Sequence, residues 1–149
     1  MMNEQTLTAA INTLLQAQHF GVLATQGNEH PYCTLVSYVH TDDLKNIIFA
    51  TIRSARKYHN LKQNSHVSLL VGSQTNKIDD IKDAEALTII GAAAEVPSED
   101  YGKARGIYLK KHPYLEDFIT MPDCALVRVA VDKYILVRNF QDVMEYIVS

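Results

Sequence analysis

Three apolar strand patterns follow one another between residues 20 and 52 with only short polar breaks. The run reads "FGVLAT", "QGNEHP", "YCTLVSYVH", "TDDLKN", "IIFATI". Aliphatic, β-branched and aromatic residues bounded by Gly, Asn, Asp and Pro mark strands and turns. Breaks this short leave no room for the crossover helix that parallel neighbours need. The chain must therefore double back twice as an antiparallel meander, with Gly27-Asn28 predicted as the first tight bend.

The rest of the chain extends this plan. "HVSLLVGS" and "ALTIIGAAAEV" read as strands four and five, with Gly91 marking a bulge or a close backbone approach. "CALVRVAVDKYILVRN" reads as one long strand or as a hairpin turning at Asp132-Lys133, and "VMEYIV" as a last strand. Leu7, Ala10, Ile11, Leu14, Leu15 and Gln18 carry helical spacing, which predicts a first helix ending near His19–Phe20, before Gly21. A short helix is predicted over Ser54–Gln63 with Ser54 as its N-cap. A third is predicted in "PSEDYGKARGIYLKKHP", with Ser98 as cap, acids at its start, Lys110 and Lys111 at its end, and Pro113 beyond. Thr75 to Glu85 reads as a polar, acidic loop. The sum is an α+β fold: a small antiparallel barrel of six to seven strands with about three flanking helices. No repeat, low-complexity tract or linker divides it, so residues 1–149 read as a single domain.

Charge narrows the function classes. A net charge of −3 argues against general binding to nucleic acid or to an anionic membrane, both of which favour a basic excess. No apolar run reaches the roughly 20 residues of a membrane span, and "MMNEQTLTAA" lacks the layout of a secretory signal. Cys33 and Cys124 stand far apart in no metal-ligand spacing, so no metal site is predicted. Two lone thiols suit a reducing compartment, the cytoplasm. Cys33 reads as a small buried hydrophobe.

Against this acidic background one window stands out. From Leu44 to Ile78 there is no Asp or Glu, while Lys45, Arg53, Arg56, Lys57, Lys62 and Lys77 all fall inside it. Thr51 ends a predicted strand, and Arg56 and Lys57 fall in the first turn of the predicted helix. That turn leaves backbone N–H groups unpaired at the positive end of the helix dipole. Cations there oppose the dipole unless an anion joins them. A single phosphate suits the combination of an Arg fork, a Lys point charge and two hydroxyls. Arg53 and Lys62 read as solvated neighbours.

The order and spacing of these pieces resemble the pyridoxamine 5'-phosphate oxidase-like, FMN-binding split β-barrel proteins. The likeness runs from about Phe20 to Val96. It is carried most by "IIFATIRSARKYHNLKQNSHVSLLV", with Thr51, Ser54, Arg56, Lys57, Asn60-Leu61 and Asn64 in family-like spacing. The resemblance implies a homodimer with the cofactor FMN at the subunit interface. It implies that Ala50 and Thr51 contact the ribityl phosphate region. Ser54, Arg56 and Lys57 belong to the phosphate site, and Thr34, Leu35, Val36 and Ser37 line the flavin ring. It also implies flavin-dependent oxidoreduction of a small molecule, with NADH or NADPH as electron donor.

The oxidase reaction itself is not implied. Thr34 and Val39 stand where the oxidase carries Arg and Lys, and Ala86 falls near the place of its flavin-binding Gln. The chain has no Trp, and its C-terminal third has no Arg-x-His motif. The general-stress and nitroimidazole-reductase-like branches are the nearer likeness. No catalytic acid or base is assigned. His30, His40 and His66 read as ordinary polar residues, and His59 is the best His candidate for ligand contact. A flavin- or phosphate-binding module without turnover, a deazaflavin protein and a haem-binding relative stay open as alternatives.

Overall fold

The structure, a computed structural model, describes residues 2–149. Helix α1 (Glu4–Ala17) is capped by Asn3, whose side chain accepts from the Thr6 amide at 2.8 Å. Its stripe of Leu7, Ile11, Leu14 and Leu15 is buried. The helix stops earlier than its spacing predicts, because Lys111 Nζ donates to the carbonyls of Leu15 and Gln18 and satisfies the helix end there. Phe20 consequently already belongs to a strand.

Seven strands follow the predicted order. They are β1 (Phe20–Gln26), β2 (Pro31–His40), β3 (Asn46–Ile52), β4 (His66–Gly72), β5 (Ala86–Glu95), β6 (Cys124–Arg138) and β7 (Asp142–Ile147). All pairings are antiparallel, in the order β3-β2-β1-β4-β5-β6-β7, and β3 also pairs with β6. That pairing closes β1 to β6 into a six-stranded barrel and leaves β7 as an extra strand on β6.

The barrel closes because β6 is long. Its first half pairs with β3, its second half with β7, and its middle, from Val127 to Val137, with β5. Asp132-Lys133 is therefore no turn. Ile90 pairs with Lys133 and Gly91 with Val131, so Asp132 is the extra residue of a bulge. Gly91 meets the predicted close approach: a Cβ there would lie 2.2 Å from the Ala130 carbonyl oxygen.

Gly27 earns its place differently from the tight-bend reading. No glycine has positive φ. A Cβ on Gly27 would instead lie 2.7 Å from the side-chain oxygens of both Asn60 and Gln63, on helix α2 (Arg56–Gln63). The second hairpin turn does hold a left-handed residue, Leu44 at φ 63, which is bulky and 4% exposed. Burial of its side chain and a 2.6 Å hydrogen bond from Tyr134 Oη to its carbonyl hold that conformation.

Five helices flank the barrel instead of three. Besides α1 and α2 there are α3 (Asp80–Asp83), α4 (Tyr101–Lys111) and α5 (Glu116–Ile119). The loop predicted over 75–85 contains α3 because Asp80 accepts from the amides of Thr75, Asn76 and Lys77. Ser98 is not a helix cap. It opens a short 3-10 turn over Ser98–Asp100, and α4 begins at Tyr101 with no side-chain cap.

Two buried clusters hold these parts together. One fills the barrel and the underside of α1 with Leu23, Tyr38, Phe49, Leu69, Leu87 and Tyr134 among others. The other lies under α4 and α5 and includes Val39, Ile48, Ala104, Tyr108, Ile119 and Cys124. Each fully buried large apolar side chain contributes about 1.5–3 kcal/mol. Cys124 is buried, but Cys33 is exposed, because strand alternation puts residues 33 and 35 on the outer face of β2. No helix among the described residues is long and apolar enough to cross a membrane.

Candidate functional site

Strand β2 changes partner along its length. Residues 31–37 pair with β1, whereas only Tyr38, Val39 and His40 pair with β3. Strand β3 continues to Ile52 with β6 on its other side. Between Leu35–Ser37 and Ala50–Ile52 the sheet is therefore split, and the two facing edges have no strand partner. A cleft of about 400 Å³ opens there. Leu35, Val36 and Ser37 form one wall, with Ala50, Thr51 and Ile52 opposite and Ala55 and Lys57 at the helix start.

Lys57 is the one charged side chain lining this cleft. It is half-buried, and among the described residues it has no carboxylate partner within salt-bridge distance. Burial lowers its pKa, the mark of a cation short of compensation. Helix α2 starts beside it from Ala55, which has no side chain to cap the first turn. Ser54 is thus not the predicted N-cap. Its Oγ donates instead to Asp123 Oδ2 at 3.3 Å, a partner visible only once β6 lies alongside. The Tyr58 amide donates back to the Ala55 carbonyl at 3.1 Å, and in this turn, among the described residues, only the amides of Arg56 and Lys57 are left for an outside acceptor.

The other predicted residues are placed as follows. Thr51 is buried, and its hydroxyl donates to the Ile52 carbonyl at 3.1 Å. Thr34 lies outside the cleft lining, and its buried Oγ1 has no hydrogen-bond partner. Arg56 sits beside a separate depression, with its guanidinium carbon 5.2 Å from the centre of the Tyr32 ring. His59 is exposed on α2 and lines neither space. The structure therefore gathers Leu35, Val36, Ser37, Ala50, Thr51 and Lys57, and sets Thr34, Ser54 and Arg56 apart.

Arg53 is not a solvated neighbour. Its guanidinium forks onto Glu95 at 3.2 and 2.6 Å and donates to the Pro122 carbonyl at 3.1 Å, while Tyr58 Oη donates to Glu95 at 2.7 Å. The Arg53 hydrogen bond is the main cause holding the Glu95 carboxyl below its ordinary range. This clamp ties the entry of α2 to the end of β5.

The C-terminal third adds a wall that sequence reading missed. Tyr108, Leu115 and Phe118 line the cleft from α4, the following 3-10 turn and α5. Tyr108 Oη donates to the Ser37 carbonyl at 3.0 Å. His112, 0% exposed, donates from Nε2 to the Tyr38 carbonyl at 2.6 Å, and Tyr114 Oη lies 2.9 Å from its Nδ1. Burial lowers the His112 pKa, so the neutral ring with its proton on Nε2 fits both contacts. The apolar spacing in "PYLEDFI" was the available signal, but nothing local says which strand those residues meet. No group of three potential metal ligands occurs among the described residues.

The molecule is thus an antiparallel barrel split at one seam, with one half-buried lysine at a helix start in the split. The family model for pyridoxamine 5'-phosphate oxidase matches residues 7–138, and the chain belongs to that family. No curated protein matches. Among solved structures, the chain resembles a Clostridium acetobutylicum protein related to general stress protein 26 of B. subtilis. That match has 18% identity, covers 98% of this chain and 97% of the other, and has a TM-score of 0.75. It also resembles HutZ, the heme storage protein from Vibrio cholerae, at 17% identity over 93% and 92% of the two chains, with a TM-score of 0.73. A heme binding protein from Mycobacterium smegmatis matches at 18% identity and a TM-score of 0.80; the match covers 93% of this chain but 57% of that one. At these identities the likeness is one of fold.

Proposed function

We propose that the split cleft binds FMN and that the protein is a flavin-dependent oxidoreductase acting on a small molecule. One observation carries this: Lys57, half-buried and without a counter-ion among the described residues, faces the cleft where α2 presents a first turn with no side-chain cap. Lys57 and the first-turn amides would hold the phosphate, with Thr51 beside them. The unpaired edges at Leu35–Ser37 and Ala50–Ile52 offer backbone donors and acceptors for the polar rim of the ring. Leu35, Leu115 and Phe118 supply apolar surface for its faces. Bound flavin supplies hydride or single-electron transfer, and the protein's share is position, exclusion of water and electrostatics.

The active form in this proposal is a homodimer. Leu35, 73% exposed, belongs both to the cleft and to an apolar outer sheet face with Phe20, Val22 and Leu70. A second copy covering that face would also shelter the cleft. NADH or NADPH is the proposed electron donor, and two free thiols suit a reducing, cytoplasmic setting.

A second reading, a flavin-binding module without turnover, is favoured by the absence of any carboxylate or imidazole among the cleft-lining residues. A deazaflavin would meet the same seam and the same lysine. Haem is less well served: among the described residues no His, Cys or Met lines the cleft, and Tyr108, which does, spends its hydroxyl on the Ser37 carbonyl. Titrating the protein with FMN and following flavin fluorescence tests binding. Anaerobic addition of NADH or NADPH then separates the two readings, since bleaching of the flavin requires electron transfer and its absence favours the module.

A further inference from the structure

A groove of about 700 Å³ lies between the turn joining β2 to β3 and a face of α4 other than the one lining the cleft. Val39 and Ile107 give it an apolar floor. Its rim is electrically mixed, with Lys103 and Lys110 on the helix and Asp42 and Asp43 on the turn, so selection falls to the buried inner end. Two groups there are incompletely paired. His40 is 7% exposed; its Nε2 donates to Asn12 Oδ1 at 2.5 Å, and its buried Nδ1 has no hydrogen-bond partner among the described residues. With the proton on Nε2, Nδ1 is an acceptor that lacks a donor. Lys111 is half-buried over the Tyr38 ring at 4.0 Å and, among the described residues, has no carboxylate within salt-bridge distance. It donates to the carbonyls of Leu15 and Gln18 at 2.9 and 2.7 Å, which leaves one N–H of the ammonium unspent. That ammonium lies close enough to the His40 ring to add to burial in lowering its pKa, with Asp42 opposing.

We propose that this groove is a second ligand site, separate from the cleft, for a small hydroxy acid with an apolar body. The ligand's hydroxyl donates to His40 Nδ1, and its carboxylate accepts from Lys111. A neutral acceptor beside a cationic donor calls for a donor and an anion on neighbouring atoms of the ligand. An α-hydroxy acid carries that pair; a plain carboxylate or an alcohol does not. The apolar body covers Val39 and Ile107. A bare inorganic anion would satisfy Lys111 and leave Nδ1 without its donor. The inference stands apart from the proposed function, since no residue that holds the flavin takes part in it.

The test is calorimetric titration of the full chain with mandelate, an aryl α-hydroxy acid. Phenylacetate lacks its hydroxyl, mandelamide its charge and lactate its ring. Mandelate is expected to bind saturably, and each of the other three about tenfold more weakly or worse. His40→Phe, checked for folding by circular dichroism, keeps a ring and removes the acceptor. It is expected to bring mandelate down to the affinity of phenylacetate. Ile107→Gln, a half-buried position on the helix, is expected to weaken mandelate about tenfold by removing apolar floor. Saturating FMN is expected to leave mandelate binding unchanged. Absent mandelate binding, equal affinity for any of the three analogues, unchanged binding in either variant, or displacement by FMN overturns the site. Mandelate binding without FMN binding supports the groove and removes the flavin reading instead.

Discussion

The hydroxyl of Tyr108 donates to the carbonyl of Ser37 across 3.0 Å and 71 positions of sequence. That bond joins α4 to β2 where the strand leaves β1 for β3, at the closed end of the split. The cleft is thus shaped by two parts of the chain that no local pattern relates. Tyr108→Phe keeps the ring but leaves the Ser37 carbonyl without its donor. It should lower stability by about 1–3 kcal/mol, the cost of an unmet buried polar group, and should weaken FMN binding. Chemical denaturation and flavin titration on the same variant measure both; an unchanged flavin affinity would confine Tyr108 to a structural role.

Lys57 is the one charged side chain in the phosphate proposal. Lys57→Ala should weaken FMN binding by about 1.5–3 kcal/mol, the range for a hydrogen bond to a charged group, or roughly 10- to 150-fold. Arg56→Ala should cost FMN less, since Arg56 lies beside the other depression. Fluorescence titration decides it, and an Arg56→Ala loss equal to that of Lys57→Ala would return the phosphate to both residues.

Two kinds of glycine should respond oppositely to alanine. At Gly91 the new methyl meets backbone, the Ala130 carbonyl. Overpacking of this kind costs about 1–3 kcal/mol or more, seen as a lower melting temperature. Gly102 and Gly106 lie in α4 with nothing within 4 Å of a new Cβ. Alanine at either should stabilise by about 0.5–1 kcal/mol through helix propensity.

Alkaline stability should pass through a maximum. Burial lowers the Lys111 pKa from 10.5 to about 8. Between those values the unfolded chain binds more protons than the native one, so this lysine makes stability rise with pH. Burial raises Tyr38, Tyr108 and Tyr134 well above their ordinary 10.0. Above that value the native state holds protons that the unfolded chain releases, so their contribution is lost as pH climbs. Denaturation midpoints from neutral to strongly alkaline pH should therefore climb and then fall, turning near pH 10. Lys111→Met should flatten the rising limb and leave the fall.

If the apolar outer face joins two copies, a charge in its middle should part them. Leu35→Asp is expected to sediment as a folded monomer and to lose flavin, because Leu35 serves both face and cleft. A wild-type chain that is already monomeric with FMN bound would remove the dimer from the proposal.

The sequence by itself determined the succession of strands along the chain, their antiparallel sense, the first helix and the glycine beneath the β6 bulge, but not that β4 pairs with β1 and β3 with β6. These depend on alternation, turn composition and helical spacing, which are properties of neighbouring residues. It also singled out the acid-free window in which Lys57 falls, because such a window is visible without any fold. What it left open depended on contacts between distant segments. Arg53, Arg56 and Lys57 read alike as charges on one short stretch. Glu95 claims the first, the ring of Tyr32 the second, and the cleft is left with the third. Asp123 likewise draws Ser54 from its predicted cap, and Lys111 ends α1 early. Tyr108, Leu115 and Phe118 carry no mark of a site until α4 and α5 fold over the split. A cation becomes a candidate ligand only when everything that could neutralise it has been placed elsewhere, and only tertiary structure places it.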